Sequence, residues 1–141
     1  MKTTLLLIVA SVLAAAASSS AGLLPATDSN QRVFELRTYH TPPGKMPALH
    51  ARFRDHSIAL FERHGMKVVG FWVPTDADKG SADTLVYVLA HQSRAAADAS
   101  WAAFRADPEW VKVKAESEKD GSLTTKVESV FMSPTDYSPM K

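Results

Sequence analysis

Cysteine is absent from this sequence of 141 residues. Its absence excludes disulfide bonds, thiol nucleophiles, iron–sulfur clusters and cysteine-ligated zinc. A surplus of one charge is also lacking, since 16 lysines and arginines stand against 15 aspartates and glutamates. A dedicated nucleic-acid-binding protein needs basic residues concentrated on one face, so we expect no nucleic acid partner. Core packing or subunit association must therefore hold the fold together.

Long apolar runs are lacking except near the N-terminus, where one extends from Leu5 to Ala17. Lys2 precedes this run, and the small residues Ser19 and Ala21 follow it, which is the pattern of a secretory signal peptide cleaved after Ala21. An uncleaved membrane anchor is the alternative, but the run is shorter than the roughly 20 residues that span a bilayer. We predict a secreted or periplasmic protein with no stable membrane insertion after signal removal.

The mature chain is predicted to be neutral and to form one domain. Removal of residues 1–21 takes away Lys2 and no acidic residue, which leaves 15 basic and 15 acidic residues. Residues 22–32 have no apolar period and are predicted to be a flexible leader. Residues 33–139 have the size of one small domain.

The apolar pattern of this domain predicts four strands and two helical regions. The predicted strands cover 33–40, 66–73, 84–91 and 123–132, and the predicted helices cover 47–64, 94–104 and 108 to a stop at Gly121. Ser93 and Asp107 are the predicted N-caps of the last two helices. In the first helix Ser57 falls on the apolar stripe and Arg52 falls away from it, and Trp101 is interpreted as a core aromatic residue. The order strand, helix, strand, strand, helix, strand is the ferredoxin-like βαββαβ arrangement of the α+β class. We expect a four-stranded antiparallel sheet with both helical regions on one face and the first strand between the third and fourth.

The first predicted strand has one polar face. Alternation places Glu35, Arg37 and Tyr39 on this face, opposite Phe34 and Leu36. The polar set is too charged for an ordinary core and too mixed for a plain solvent face. We predict that it lies away from the helices, inside a homodimer whose two sheets pack face to face, because small domains without disulfides gain burial in this way.

These three residues form the predicted ligand-binding site. Neighbouring strands are within reach of the first strand, and the residues expected to join the site are Tyr87, His91, Lys126 and Glu128. The functional interpretation is a polar pocket for a small-molecule ligand inside the dimeric barrel. The alternative is a network of ion pairs between strands and subunits, since buried charges must be paired in either case.

No metal or other cofactor is predicted. The five histidines, which form no metal-binding spacing, are His40, His50, His56, His64 and His91. Those of the first helix are interpreted as structural, whereas the two at strand ends lie where barrel mouths bind ligands. The acidic loop after the second strand lacks the glycine position and the closing glutamate of a calcium loop. No phosphate loop or nucleophile elbow is present either.

Short segments spread over the whole domain occur in a recognisable order. They are FELRTY at 34–39 with PGK at 43–45, HGM at 64–66 with GFW at 70–72, WAAF at 101–104 with DPEW at 107–110, and YSP at 137–139. Together they resemble the NIPSNAP family. The resemblance implies a ferredoxin-like domain of the dimeric α/β-barrel superfamily, and it brings no agreed catalytic residues with it.

The resemblance leaves the function open. Animal members are associated with mitochondria and with vesicle or mitophagy machinery, and the predicted signal peptide departs from that setting, so those roles are not transferred. The prediction is a homodimer that binds a small ligand or serves as an interaction scaffold. Other families of the superfamily include cofactor-independent monooxygenases and haem-dependent enzymes, and by this analogy an enzyme using His91, Arg37 and Tyr39 is the alternative. A dimer without a ligand is the third interpretation.

Overall fold

The computed structural model describes residues 32–141, so the predicted signal peptide and all but Arg32 of the predicted leader lie outside the described residues. The strands are β1 (Val33–His40), β2 (Lys67–Trp72), β3 (Thr84–His91) and β4 (Lys126–Met132). The helices are α1 (Met46–Arg52), α2 (Ile58–Arg63), α3 (Arg94–Ala106) and α4 (Pro108–Ser117). A π-helical segment, Phe53–Ser57, joins α1 to α2, and a short 3₁₀ turn, Ala77–Lys79, lies between β2 and β3. Within the described range, no helix combines the length and apolar character needed to cross a membrane.

The sheet confirms the predicted ferredoxin-like topology. Its strand order is β2-β3-β1-β4, and every neighbouring pair is antiparallel. The central strand β1 therefore pairs with β3 on one side, where Val33 lies opposite His91, and with β4 on the other, where Phe34 lies opposite Met132. The helices cover one face of this sheet, as predicted, and the main apolar core lies between the two layers.

Local sequence signals set most of the helix ends. The side chain of Ser93 accepts a hydrogen bond from the Ala96 N–H at 3.1 Å, and that of Asp107 accepts from the Glu109 N–H at 2.8 Å. Both are the predicted N-caps, which satisfy amide groups that the first helical turn leaves free. Gly65, with φ of +77°, follows α2 in the left-handed conformation that glycine adopts without strain.

The fourth strand is shorter than predicted. It begins at Lys126, whereas the alternating pattern was expected to start at Leu123. Leu123 belongs to the core cluster and is 1% exposed. Its apolar character therefore reflects core packing from the turn before β4 and not strand alternation.

The first helical region contains an irregularity that the periodicity did not predict. The chain is helical from Met46 to Arg63, but the Ile58 N–H bonds to the Phe53 carbonyl, five residues back, which defines the π segment. Arg52, expected on the outer face, is 6% exposed. Arg52, immediately before the π segment, and Ser57, at its end, are both buried. π-Helical turns of this kind occur often at functional sites.

Candidate functional site

The candidate residues of β1 face the helices, which corrects the prediction that they line the interior between two sheets. Trp101 of α3 donates its Nε1–H to Oε2 of Glu35 at 2.6 Å, and Phe53 packs edge-on against Tyr39 with ring centroids 5.7 Å apart. The sequence pattern misled because Glu35 and Arg37 pair with each other and Tyr39 contributes mostly its ring. This face of β1 can therefore be buried within one subunit, because its charged side chains pair with each other.

Glu35 is the hub of this surface. Its Oε1 accepts hydrogen bonds from Arg37 Nη1 at 2.6 Å and from Ser129 Oγ at 2.7 Å, and its Oε2 accepts from Trp101 Nε1 at 2.6 Å and His91 Nε2 at 3.0 Å. Burial by itself would raise the pKa of Glu35, but the hydrogen bonds from His91, Ser129, Trp101 and Arg37 outweigh it and lower the pKa to about 2. The carboxylate is therefore ionised at neutral pH and fixed by its donors.

Arg37 and two tyrosines continue the network toward the helices. The Arg37 guanidinium carbon lies 4.3 Å from the centroid of the Trp101 ring and 5.6 Å from that of Tyr39. Tyr87 donates its hydroxyl to the Tyr39 oxygen at 3.0 Å. Burial raises the pKa of Tyr87 well above its ordinary value, so this donor stays protonated. Burial acts to lower the pKa of Arg37, but Tyr87, Tyr39 and Glu35 raise it overall, and the guanidinium remains charged.

A cavity of about 230 Å³, hereafter the central cavity, lies between this network and the helices. Aromatic rings form much of its wall: Tyr39, Phe53, Phe61, Trp101, Phe104 and Trp110. Its charged and hydroxyl side chains include Arg37, Arg52, Ser57, Arg105, Lys114 and Glu118. The cavity thus combines an apolar, aromatic enclosure with a few polar groups, which is the usual composition of a small-molecule site.

Three residues that line the cavity each carry one buried polar atom without a hydrogen-bond partner among the described residues, namely Nε of Arg37, Nε of Arg52 and Oγ of Ser57. Buried side-chain polar atoms in folded proteins nearly always have a partner, from the protein or from water. The other buried atoms of this kind, on Thr41 and His91, belong to residues that do not line the cavity. Unpartnered buried groups are therefore concentrated in the side chains that surround the cavity.

Arg52, which also lines the cavity, is held in place by contacts with α4 and the residue that follows it. Its Nη1 donates to Oε1 of Glu118 at 2.8 Å, and its guanidinium carbon lies 5.3 Å from the centroid of the Trp110 ring. α1 supplies Arg52, whereas Trp110 lies in α4 and Glu118 follows it. The ion pair and the stacking contact therefore join α4 to the first helical region across the cavity.

Of the seven predicted site residues, Arg37 and Tyr39 line the central cavity, and two of the other five, Lys126 and Glu128, lie on the far face of the sheet. The register of β4 places Glu128 opposite Thr38 and Lys126 opposite His40, on the sheet face away from the helices. There Oε2 of Glu128 lies 3.2 Å from His40 Nε2, and its Oε1 lies 2.8 Å from Lys126 Nζ. The hydrogen bonds from Lys126 and His40 lower the pKa of this exposed carboxylate. The expectation that Lys126 and Glu128 join Glu35 is therefore wrong, whereas Tyr87 and His91 do contact the network.

Sequence reasoning missed several residues of the site, and three of them are Trp101, Arg52 and Ser57. Trp101 was interpreted as an ordinary core residue, Arg52 as an outer-face residue, and Ser57 as part of the apolar stripe without a role. Of these three, Ser57 could have been recognised from the sequence, because a hydroxyl on an apolar helical stripe is buried and needs a hydrogen-bond partner. In the described part of the chain, no group of three or more metal-ligating side chains could hold a metal ion.

The NIPSNAP family model matches residues 34–139, which is most of the chain. The chain belongs to the NIPSNAP family. A NIPSNAP family protein of unknown function from Agrobacterium tumefaciens is 25% identical, with a TM-score of 0.67 over 79% of this chain and 96% of that one. A NIPSNAP-like domain protein from Burkholderia xenovorans is 17% identical, with a TM-score of 0.67 over 78% of this chain and 90% of that one.

The structure of an oxygenase is also similar in fold. SnoaB from Streptomyces nogalater, a cofactor-independent oxygenase solved as a point mutant, is 15% identical, with a TM-score of 0.50 over 77% of this chain and 98% of that one. That likeness shows a shared fold and nothing about activity. Comparison with curated proteins gives no match.

Proposed function

We propose that this NIPSNAP protein is a homodimer that binds a small organic molecule in the central cavity of each subunit. The observation that carries the proposal is the coincidence of an aromatic enclosure with three unpartnered buried polar atoms, on Arg37, Arg52 and Ser57. An unsatisfied buried polar group costs about 1–3 kcal/mol. A ligand that draws these side chains toward it and accepts their hydrogen bonds would recover that cost. The apolar run and small residues of the predicted signal peptide support a secreted or periplasmic location.

The size of the central cavity limits the ligand. An engineered cavity of roughly 150 Å³ in another protein binds benzene. The central cavity, at about 230 Å³, is larger than that and smaller than a site for a drug-sized molecule, which begins at about 300 Å³. We therefore propose a ligand no larger than one aromatic ring with a short substituent.

The cavity does not fit a haem group, which fold analogy raised as an alternative. Among the described residues, no histidine lines it. His91, the histidine nearest the network, is 2% exposed and its Nε2 lies 3.0 Å from Glu35. The monooxygenase alternative is supported by the fold alone.

Filling the cavity is expected to abolish ligand binding. Ser57→Phe places a ring in the central cavity, whereas His56→Phe places the same ring at an exposed neighbouring position as a control. Native mass spectrometry of the protein purified from its own host should show one retained small molecule per subunit in the wild type and His56→Phe, and none in Ser57→Phe. Overpacking costs about 1–3 kcal/mol, so circular dichroism must confirm that Ser57→Phe is folded.

Cavity binding would be contradicted by a wild-type protein that retains no added mass and whose thermal midpoint is unmoved by small aromatic compounds. A ligand retained equally by both variants would place its site elsewhere. In either case the dimer, tested separately, would be unaffected.

The homodimer is supported by the sheet face away from the helices. Val130 is 54% exposed and Met132 36% exposed on this face, beside the half-buried Leu36 and Val88. C-terminal residues 139–141 lie beside Phe34, at one end of the sheet. A contiguous apolar patch on a sheet that helices cover from one side is typical of an interaction surface. A second copy offers the same patch, and two-fold packing of the two sheets would cover both.

A charge on this patch is expected to dissociate the dimer. Val130→Asp would place an unpaired carboxylate between the two sheets, and we expect the dissociation constant to rise at least about tenfold, because burying an unpaired charge is costly. Val111→Asp is the matched control, since Val111 is 56% exposed on α4. Light scattering over a concentration series measures both. A monomeric wild type, or equal constants for the two variants, would contradict the proposed dimer.

A further inference from the structure

Positive side chains outnumber negative ones around the central cavity. Among the described lining residues the basic ones are Arg37, Arg52, Arg105 and Lys114, and the acidic one is Glu118. Glu35, which lies behind Arg37, adds a second negative charge. Arg37 and Arg52 are each paired with a carboxylate, so the excess of positive charge lies on Arg105 and Lys114, which are exposed at the cavity. A net positive charge at the cavity attracts an anionic ligand and raises its local concentration.

The two buried arginines are positioned in advance. Arg37 is fixed by Glu35 at 2.6 Å and by stacking on Trp101 at 4.3 Å, and Arg52 is fixed by Glu118 at 2.8 Å and by Trp110. Each guanidinium uses Nη1 for its ion pair, while its Nη2 has no hydrogen-bond partner among the described residues and is not one of the fully buried atoms, so Nη2 is open to a ligand. Held in this way, they can bind an acceptor without the entropic cost of ordering a long side chain.

Ser57 adds a neutral donor to the same wall. Its side chain is 1% exposed and its Oγ has no partner in the part of the chain that the structure describes. Its position at the end of the π segment places a hydroxyl where a regular stripe would carry an apolar group. Two guanidinium N–H groups and a hydroxyl form a donor set suited to a carboxylate, which accepts several charge-assisted hydrogen bonds at once.

We infer that the ligand of the central cavity is a small monocarboxylate with an aromatic or apolar body, its carboxylate bound by Arg37, Arg52 and Ser57. This inference rests on the proposed ligand-binding function and names its chemical class. The aromatic wall binds the body of the molecule, and the three donors set its orientation.

The test compares acids with their neutral amides. Benzoate and phenylacetate are titrated against benzamide and phenylacetamide, and binding to the wild-type protein is followed by calorimetry and by the fluorescence of Trp101 and Trp110, which line the cavity. We expect each acid to bind at least about tenfold more tightly than its amide, since a charge-assisted hydrogen bond is worth a decade or more in affinity. Arg52→Gln should remove that preference. Arg54→Gln, which changes an exposed arginine two positions later, should keep it.

A second variant tests the same inference if Arg52→Gln does not fold. Glu118→Gln keeps a hydrogen-bond acceptor for Arg52 but removes the carboxylate that competes with the ligand. We expect it to strengthen benzoate or phenylacetate binding several-fold and to leave amide binding unchanged. Weaker acid binding by Glu118→Gln would overturn the inference.

The two possible failures are distinguishable. If acids and amides bind equally, and Arg52→Gln changes neither, the carboxylate assignment is wrong and the ligand-binding function stands. If neither class binds at millimolar concentration, the proposed function itself is overturned and the inference with it.

Discussion

Glu35→Gln is expected to destabilise the fold by about 3–5 kcal/mol, the usual cost of removing one partner from a buried ion pair. The substitution leaves Arg37 charged in the interior without its counterion. It also replaces one of the two acceptor oxygens by an NH₂ group. That group cannot accept a hydrogen bond, although four donors surround the position, from Arg37, Ser129, Trp101 and His91. Equilibrium unfolding in urea, followed by circular dichroism, measures the loss.

Glu128→Gln is the matched control for this prediction. Glu128 lies on β4 with its side chain 47% exposed, and its partners are His40 and Lys126. Exposed ion pairs contribute about 0–1 kcal/mol, so the control should lose little stability. Equal losses from the two substitutions would show that Glu35 is not the hub of a buried network.

The same carboxylate predicts how stability depends on pH. The pKa of Glu35 is lowered from 4.5 to about 2, so its stabilisation is fully present above about pH 4.5 and is lost as the pH falls toward 2. A shift of this size corresponds to about 3 kcal/mol. Between those pH values, unfolding of the wild type should become easier as the pH falls. Glu35→Gln should lack this part of the pH dependence, and an unchanged profile would refute the assignment.

Elements that depend on local sequence were predictable. β3 was predicted over 84–91 and is observed as Thr84–His91, because an alternating run bounded by turns specifies a strand with little help from the rest of the chain. The caps at Ser93 and Asp107 were predictable for the same reason, since each bonds an amide two or three residues away. The order of such elements was enough to predict the ferredoxin-like topology.

The composition of the site was not predictable, because its contacts join distant parts of the chain. Alternation separates the two faces of β1 but does not say which face meets the helices. The face that carries Glu35 can be buried against the helices because Glu35 accepts hydrogen bonds from His91, Trp101 and Ser129. These donors are 56, 66 and 94 residues away in the sequence. The same holds for β4, where a register change of one residue would move Glu128 to the other face.

The burial of Arg52 was not predictable for a different reason. A helical period sorts the residues of one helix into faces, but it does not say which side chains of another helix a polar residue will meet. Arg52 is stabilised inside by Glu118 and Trp110, which come from the far end of the second helical region. Its burial therefore depends on helix packing that periodicity does not encode.

Phe61→Ala is expected to have the second large effect, a loss of about 3–5 kcal/mol. Phe61 is 1% exposed, and four aromatic rings surround it, with centroids 6.1 Å away for Phe53, 6.0 Å for Tyr87, 5.5 Å for Trp101 and 5.1 Å for Phe104. Packing of this kind leaves no neighbour free to fill the space. Thermal and urea unfolding measure the loss, and Val111→Ala, at a site 56% exposed, is the control with an expected effect within about 0.5 kcal/mol.

The space left by Phe61 would also change which ligands bind, because Phe61 lines the central cavity. Truncation enlarges that cavity, so Phe61→Ala should accept a larger acid such as naphthoate, which the wild type excludes. A ligand present at a hundred times its dissociation constant stabilises the folded state by about 2.7 kcal/mol, so naphthoate should restore much of the lost stability to the variant and none to the wild type. A variant that is destabilised but not rescued would mean that the space at Phe61 collapses or stays closed to the central cavity, because only a connected space can bind the larger acid.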